Sequence, residues 1–531
     1  MEQSYSLLEK PWIKVELLNG SYESVGLLDL FKRANAIKNL HGDSRMQDFA
    51  VFRVLLAILS SATYKADLRD EEAILQYWQN LYQNKDLSQA SKYLKVNADK
   101  FDFLGDHPFM QVTKDEFNQI VEPKKQITDK SLQKAIENGD QITPISMINR
   151  NVKQSGSKLS AIARPSLIHR NDLSMDELVR WIITYQFYTG TADKTKILNS
   201  DGKPAKYSVS AGYLMVLVPV FIKGKTLADT LLLNLVMFTK DLHYKKPHPI
   251  WDFDVVADRD KLLSPSVPDN YAELCSYPSR LIYIDYSTGH QLVFMAGIPL
   301  FSVDNLFAEP MTTFHWSKGK KAYRPLQINK NTMSIAMWRN FGQYINTTTA
   351  DDSHIPGIVE WVRILQDHDI LPFDYKLNLE RIVAVSDGNA TSQLPVHVID
   401  DDLTINADIA NGDESLIWVP AIEDAIGKSQ YIGSKCIYRF GKSLAHDQGG
   451  KLSDEYYEAL NIPFNNWLKS LNSAQDPDEE VAKWINQSAN IAKEIINNFI
   501  KYNLSTHDIA ELMQTRSIVF GKINNVVKGL I

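Results

Sequence analysis

The change in sequence pattern near residue 405 constrains the fold of this chain most strongly. Before it, helical patterns such as RMQDFAVFRVLLAILSSAT (45–63) alternate with β-like runs such as RLIYIDY (280–286). After it, strand patterns fade and long helical patterns follow. One of these, DPDEEVAKWINQSANIAKEIINNFIKY, has Pro477 near its first helical position, where proline is favoured. The two parts of the chain therefore differ in secondary structure.

The length of the chain, 531 residues, exceeds what one compact core accommodates. Helices and short strands without a regular βαβ alternation indicate the α+β class. We predict a large mixed N-terminal domain over residues 1–404 and a C-terminal four-helix bundle over residues 405–531. Local patterns further predict a buried helix over 226–238 and a bundle helix whose N-cap is Ser453.

Composition indicates a reduced, cytoplasmic protein without a membrane partner. The longest apolar run, 213–221, has nine residues, whereas a membrane-spanning helix needs roughly 20. The opening MEQSYSLLEKPW lacks the basic start and apolar segment of a signal peptide. The two cysteines, Cys275 and Cys436, exclude a disulfide framework and a four-thiolate zinc site.

The formal net charge of −7 argues against a protein that holds nucleic acid alone through a large basic face. It leaves room for a protein that contacts nucleic acid through a few loops while partner subunits supply positive charge. The basic cluster KGKKAYR (318–324) could form such a loop, although a solvated loop is the simpler interpretation.

Common catalytic motifs are missing from the sequence: it contains no GxxxxGK[ST], GxGxxG, GxSxG, HExxH or CxxC. The segment QDHDI, with Asp367 and His368, and the nearby His354 suggest a metal-dependent phosphohydrolase as one alternative. A solvated turn is the simpler interpretation. In FDFLGDHPFMQV (101–112), His107 leaves three interpretations open: a catalytic dyad, half of a metal site, or a packing motif.

The segment LERIVAVSDGNATSQLPVHVIDDD (379–402) predicts a protruding β-hairpin. Two β-like arms flank Asp387 and Gly388, a dipeptide that accepts the positive φ of a turn. Small polar residues follow at the predicted tip. An ordinary surface hairpin is the alternative to a functional one.

Several short motifs, in order along the chain, resemble the CasA family, the large subunit of the type I-E CRISPR Cascade complex. They are Lys10-Pro11-Trp12-Ile13, the HPFMQ segment 107–111, FIKGKTLADTLLLNLV, EPMTTF and MWRNF (337–341). The resemblance covers nearly the full length. It implies a structural role for the HPFMQ segment, with Phe109 and Met110 in the core and His107 hydrogen-bonded.

The resemblance implies a non-enzymatic recognition subunit that needs no cofactor. Members of the family recognise the protospacer-adjacent motif (PAM) in double-stranded DNA, wedge the duplex open to start R-loop formation and help recruit a helicase–nuclease. The implied partners are CRISPR RNA, double-stranded target DNA, the recruited helicase–nuclease, and the backbone, small and 5′-handle-binding subunits of Cascade.

The resemblance also implies three sets of contact residues. The L1 loop, which contacts guide RNA, corresponds to Met147, Ile148, Asn149 and Arg150. The glycine loop that enters the minor groove corresponds to Ser210, Ala211 and Gly212. The tip of the wedge corresponds to Gly388, Asn389, Ala390 and Thr391, or to Gln393 in a shifted register.

The chain departs from the family pattern in two places. Some relatives use a lysine from a strand region to reach the PAM, but GIPLFSVDN (297–305) contains none. Lys320, or its neighbours Lys318 and Lys321, would take that role. Some relatives also bind zinc through a cysteine cluster, which two distant cysteines cannot form.

Overall fold

A computed structural model describes residues 4–137, 148, 173–191, 195–239, 242–287, 291–345, 353–386, 388, 395–444, 448–503 and 509–530. The chain divides into two compact units. Unit 1 comprises Met1–Met333, Asp352–Val362 and Glu380–Asp400. Unit 2 comprises Ser334–Asp351, Arg363–Leu379 and Asp401–Ile531. The units interleave between residues 334 and 400, and a single boundary at 404/405 stays a prediction.

Strands lie mostly in the first three quarters of the chain. They are β1 (Ile13–Leu17), β2 (Tyr22–Val25), β3 (Ile37–Leu40), β4 (Val220–Ile222), β5 (Phe238–Thr239), β6 (Leu242–His243), β7 (Arg280–Asp285), β8 (Leu292–Gly297), β9 (Phe314–Ser317), β10 (Ala322–Pro325), β11 (Ser353–His354), β12 (Lys376–Ser386) and β13 (Pro395–Asn406).

Helices occur throughout and dominate the C-terminal part. They are α1 (Leu27–Arg33), α2 (Arg45–Thr63), α3 (Glu71–Asn84), α4 (Ser88–Val96), α5 (Lys114–Ile120), α6 (Asp129–Glu137), α7 (Met175–Tyr188), α8 (Leu227–Leu233), α9 (Arg259–Leu263), α10 (Tyr271–Leu274), α11 (Gly342–Ile345), α12 (Gly357–Asp367), α13 (Ala407–Ala410), α14 (Gly412–Tyr431), α15 (Tyr438–Leu444), α16 (Gln448–Ser470), α17 (Pro477–Asn503) and α18 (Ile509–Val527).

Helix α2 is the central helix of unit 1. It begins at the N-cap Ser44, whose side chain accepts a hydrogen bond from the Gln47 backbone N–H (3.2 Å). Its length and apolar composition are sufficient to span a bilayer, but 83% of its apolar window is buried inside the protein. Helix α2 therefore packs as a core helix, as the spacing of Phe49, Phe52 and Leu56 predicts.

Small sheets surround the helices of unit 1. Strand β1 pairs antiparallel with β2 and β3, β9 with β10 and β11, β5 with β6, and β7 with β8. A further sheet has the order β13-β12-β4. Strand β7 confirms the β-like run RLIYIDY identified in the sequence.

Unit 2 is largely helical. Helix α14 continues through a π-helical turn, Ile432–Ile437, into α15. Aromatic rings pack in its core: Trp338 stacks on Phe464 (4.5 Å between ring centroids), which meets Trp484 edge-on (5.0 Å). The α+β class with a helical C-terminal region is confirmed. The count of four helices stays a prediction, because residues 445–447 and 504–508 lie outside the described part.

Candidate nucleic-acid interface

The backbone from Ser210 to Ile222 connects three elements that the sequence predicts to contact DNA. The candidate glycine loop, Ser210 to Gly212, lies at its start. The Val220 N–H donates to the Met311 carbonyl (2.7 Å), just before the hairpin β9–β10 that carries Lys320. Strand β4, which ends this segment, pairs with β12 of the predicted wedge hairpin. All three elements are thus built on one segment of unit 1.

The candidate glycine loop is packed into the fold. Ala211 and Gly212 are buried, and the Gly212 N–H donates to the Thr189 carbonyl (2.9 Å). A Cβ on Gly212 would lie 2.3 Å from the Phe187 carbonyl oxygen, so this glycine is required by close approach to the end of α7. An exposed glycine, Gly202, precedes this loop in the chain and has φ +73°. Contact between the Ala211–Gly212 backbone and a DNA groove is therefore disfavoured.

The turn between β9 and β10 is an exposed cationic tip, which we call the lysine turn (residues 317–321). Its basic side chains are Lys318, Lys320 and Lys321. None of them forms an ion pair with another residue in the part of the chain that the structure describes. The turn is closed by the Ser317 carbonyl, which accepts from the backbone N–H of Lys320 (3.1 Å) and Lys321 (2.7 Å). Exposed lysines without ion-pair partners on a hydrogen-bonded turn suit contact with phosphate or with a base edge.

The wedge hairpin consists of the arms β12 and β13. Val383 and Val385 of β12 form a small core with Ile399 of β13, against which Leu326 and Ile328 pack. Leu326 and Ile328 follow strand β10, so the chain that leaves the β9–β10 hairpin packs on the core of the wedge hairpin. The hairpin predicted from 379–402 is confirmed by these strands.

At the tip of the wedge hairpin, Gly388 is the described residue. It is exposed, has φ +74°, and its N–H donates to the Ser386 hydroxyl (3.2 Å). This agrees with the positive φ expected of a glycine in a turn. The other predicted tip residues lie outside the described residues: Asn389, Ala390, Thr391 and Gln393.

Ion pairs hold the base of the wedge hairpin on the core of unit 1. The Arg45 guanidinium, at the start of α2, contacts Glu380 of β12 (2.7 Å) and Asp400 of β13 (2.9 Å). Lys223, just after β4, also pairs with Glu380. Burial lowers the pKa of Arg45, but the carboxylates of Glu380 and Asp400 outweigh burial and raise it overall. Arg45 therefore joins both arms to helix α2.

We expect Arg45→Ala to loosen the wedge hairpin. It removes the cation between the buried carboxylate of Glu380 and the exposed carboxylate of Asp400, so the free energy of unfolding should fall by about 1–3 kcal/mol. Amide hydrogen exchange in β12 and β13 should rise more than in β7 and β8, which serve as the internal control. Equal exchange in both hairpins would contradict this role of Arg45.

A buried ion pair fixes the start of the Ser210–Ile222 segment. Both side chains, Arg53 and Glu309, are fully buried, and their Nη2 and Oε2 atoms are 2.7 Å apart. The Tyr213 hydroxyl donates to Glu309 Oε2 (2.7 Å), and the Met311 N–H donates to Glu309 Oε1 (3.0 Å). Burial and then the Glu309 carboxylate raise the pKa of Tyr213, which keeps its phenol protonated as a donor.

The L1 prediction is only partly covered by the structure. Ile148 is fully buried, so its side chain packs inside the protein. Met147, Asn149 and Arg150 lie outside the described residues.

The described residues do not form the metal site that the phosphohydrolase alternative requires. No group of three or more His, Cys, Asp or Glu side chains that could hold a metal ion occurs among the residues described. The His354 ring packs against the rings of Phe307 (4.6 Å) and Tyr323 (4.5 Å). Asp367 and His368 are exposed at the end of α12.

The HPFMQ segment has the packing role that the resemblance implies. Phe109 and Met110 are buried, and Phe109 stacks on Phe101 (5.4 Å between ring centroids). The expected hydrogen bond of His107 is wrong: its side chain is exposed and has no hydrogen-bond partner within the described ranges.

Comparison with known proteins identifies a family with this sequence pattern and solved structures with this fold. The sequence pattern of one family, CRISPR-associated protein Cse1, matches residues 6–495. No curated protein matches the chain in sequence. Several solved structures match over almost their whole length.

The crystal structure of Thermobifida fusca Cse1 is similar with a TM-score of 0.81 and 20% sequence identity, over 99% of this chain and 98% of that one. Thermus thermophilus CasA (Cse1) gives 0.66 and 16%, over 98% and 100%. A chain of a CRISPR RNA-guided surveillance complex gives 0.68 and 14%, over 98% and 99%. The resemblance to CasA is confirmed, and the chain belongs to the Cse1 family.

Proposed function

We propose that this chain is the large subunit of an RNA-guided Cascade complex, in which it recognises the PAM in double-stranded DNA and opens the adjacent base pairs. One observation carries the proposal: in a Cse1-family chain, the strand pair that carries the exposed lysine turn leads into residues, Leu326 and Ile328, that pack on the core of the wedge hairpin. The lysine turn would approach the duplex, and the wedge hairpin would separate its strands.

The energetic demand on the wedge hairpin is modest. Separating DNA costs on the order of 1.4 kcal/mol per base-pair step, and pairing with the guide RNA returns about as much. The hairpin therefore needs to offset only the first steps. Polar side chains of its predicted tip, Asn389 and Thr391, would replace hydrogen bonds that the separated bases lose. No metal or nucleotide cofactor is required for this role.

The subunit would act without catalysis, beside partners that supply most of the contacts to nucleic acid. We propose as partners CRISPR RNA, target DNA, the backbone, small and 5′-handle-binding subunits, and a recruited helicase–nuclease. The formal charge of −7 supports this division, because a lone DNA-binding protein needs a larger basic face. A cytoplasmic location follows from these partners.

The burial of the predicted glycine loop changes which residues of this region we propose to contact DNA. Ser210 is half-buried and its hydroxyl accepts from the Leu300 N–H (2.9 Å), while Ala211 and Gly212 are buried. We therefore propose that any contact of this region with a DNA groove is made by the exposed turn around Gly202, which precedes Ser210 in the chain. Ile148, also buried, would support the L1 segment rather than contact RNA.

The double variant Asn389→Ala, Thr391→Ala tests the wedge. We expect R-loop formation by the assembled complex to slow about 30-fold, because two hydrogen bonds to opened bases, each about 1 kcal/mol, are lost. Stopped-flow fluorescence of a 2-aminopurine beside the PAM measures the rate. Initial binding of a PAM duplex should change little.

The matched control is Asn19→Ala with Ser21→Ala, at the exposed turn between β1 and β2. It removes similar polar side chains from another hairpin tip and should leave the rate unchanged. A normal rate with the wedge variant, or equal slowing by both variants, would refute the assignment of the wedge.

A further inference from the structure

A second cationic surface lies in unit 1, in a cleft of about 650 Å³ beyond the C-terminal end of α2. Its walls come from the end of α2, residues 65–69, helix α3 and the chain after α8. None of its lining residues belongs to the lysine turn, the wedge hairpin or the Ser210–Ile222 segment. The cleft is therefore separate from the proposed duplex contacts.

The lining of this cleft is basic. Its Lys and Arg residues are Lys65, Arg69, Lys245 and Lys246, and no Asp or Glu lines it among the described residues. Lys245 pairs with Asp269 (2.8 Å). The other three have no ion-pair partner in the described parts of the chain. A cleft with three uncompensated cations favours an anionic ligand.

The C-terminal dipole of α2 accounts for only one of these three charges. A cation directly after a helix C-terminus is stabilised by the dipole, which explains Lys65. Arg69 lies beyond the last turn, and Lys246 comes from a different segment, after β6. Their position in the cleft needs another explanation.

Tyrosine rings accompany the cations. Tyr64 is 36% exposed, and its ring stacks on no other ring in the described part of the molecule. Lys65 Nζ lies 5.9 Å from the centroid of the Tyr77 ring, whose hydroxyl accepts from Gln89. Cations and an open aromatic ring in one cleft are typical of sites for single-stranded nucleic acid, whose bases stack on the ring. Bases in a duplex are already stacked on one another, so their faces are not free to stack on a tyrosine ring.

We propose that this cleft binds single-stranded nucleic acid, with Lys65, Arg69 and Lys246 at phosphates and Tyr64 against a base. The proposal goes beyond recognition of the PAM duplex. In an RNA-guided complex two strands have this chemistry, the guide RNA and the DNA strand that it displaces. The cleft volume falls within the range of about 300–1,000 Å³ usual for ligand sites, which suits a short stretch of strand.

The test measures binding of labelled oligo(dT) and oligo(rU), about 15 nucleotides long, to the full chain by fluorescence anisotropy. We expect Lys65→Ala, Arg69→Ala, Lys246→Ala to weaken binding at least tenfold and to reduce the slope of log K against log salt by about 2. Tyr64→Ala should weaken binding about fivefold or more, and Tyr64→Phe should restore it. Tighter DNA binding points to the displaced strand, and tighter RNA binding to the guide.

A triple variant of exposed lysines elsewhere in unit 1 is the matched control: Lys32→Ala, Lys95→Ala, Lys125→Ala. It removes the same charge and should bind like the wild type. Absence of strand binding by the wild type, or equal losses in the two triple variants, would overturn the inference. PAM-duplex binding, measured in parallel on the assembled complex, reports on the proposed function separately.

Discussion

Replacing Glu309 with alanine should lower the free energy of unfolding by about 3–5 kcal/mol, the usual cost of leaving a buried charge unpaired. Arg53 would remain fully buried without its carboxylate. The Tyr213 hydroxyl and the Met311 N–H would lose their acceptor as well. Urea unfolding followed by tryptophan fluorescence measures the change.

Two variants make the Glu309 prediction specific. Glu309→Gln keeps an acceptor for Tyr213 and should lose less stability than Glu309→Ala. Asp29→Ala breaks an exposed ion pair with Arg33 (2.7 Å) and should cost less than about 1 kcal/mol. A loss for Glu309→Ala as small as that for Asp29→Ala would show that the buried pair does not hold this part of unit 1 together.

The second large effect is expected at the lysine turn. Replacing Lys318, Lys320 and Lys321 together with alanine should weaken binding of a PAM duplex by the assembled complex about 100-fold near 0.1 M salt. The reason is that three exposed cations without ion-pair partners among the described residues would no longer release counterions from DNA. Competition gel shifts at several salt concentrations measure both the affinity and its salt dependence.

Single variants separate PAM reading from phosphate contact. Lys320→Ala should reduce the preference for PAM over non-PAM duplex, whereas Lys318→Ala and Lys321→Ala should weaken both duplexes equally. The triple variant of Lys32, Lys95 and Lys125 is again the charge-matched control. If that control loses as much affinity as the lysine-turn variant, general charge explains the effect and the lysine turn has no special role.

Regular periodicity and turn chemistry made much of the fold predictable. The apolar spacing in 45–63 predicts the buried α2, and Pro477 is indeed the first residue of α17. The arms around Asp387 and Gly388 are strands, and Gly388 has the positive φ that a turn requires. In these cases local preference and tertiary packing favour the same structure.

Tertiary hydrogen bonds explain where local patterns were misleading. The predicted helix over 226–238 ends at Leu233, because the Asn234 side chain bonds the backbone N–H (2.9 Å) and carbonyl (2.6 Å) of Ile222. Ser453 is not an N-cap: α16 begins at Gln448, and the Ser453 hydroxyl lies inside it, donating to the Gly433 carbonyl (3.4 Å). Neither partner is local in sequence.

The candidate site shows the same division between local and distant information. The lysine turn was visible as the cluster KGKKAYR, and the wedge hairpin as its two arms. The burial of Ala211 and Gly212 was not, since it depends on the end of α7. Nor did any pattern relate Arg45 to Glu380 and Asp400, which lie more than 300 residues away in sequence. Only the fold brings these charges together.

The most direct measurement of the central claim is the reactivity of thymines beside the PAM toward permanganate, which oxidises unstacked bases. Complexes assembled with the wild-type chain should expose these thymines on PAM-bearing duplex even when the guide cannot pair beyond the first positions. Complexes with the double variant of Asn389 and Thr391 should bind the duplex but leave the thymines protected. Equal reactivity with both chains would contradict the claim that this hairpin opens DNA.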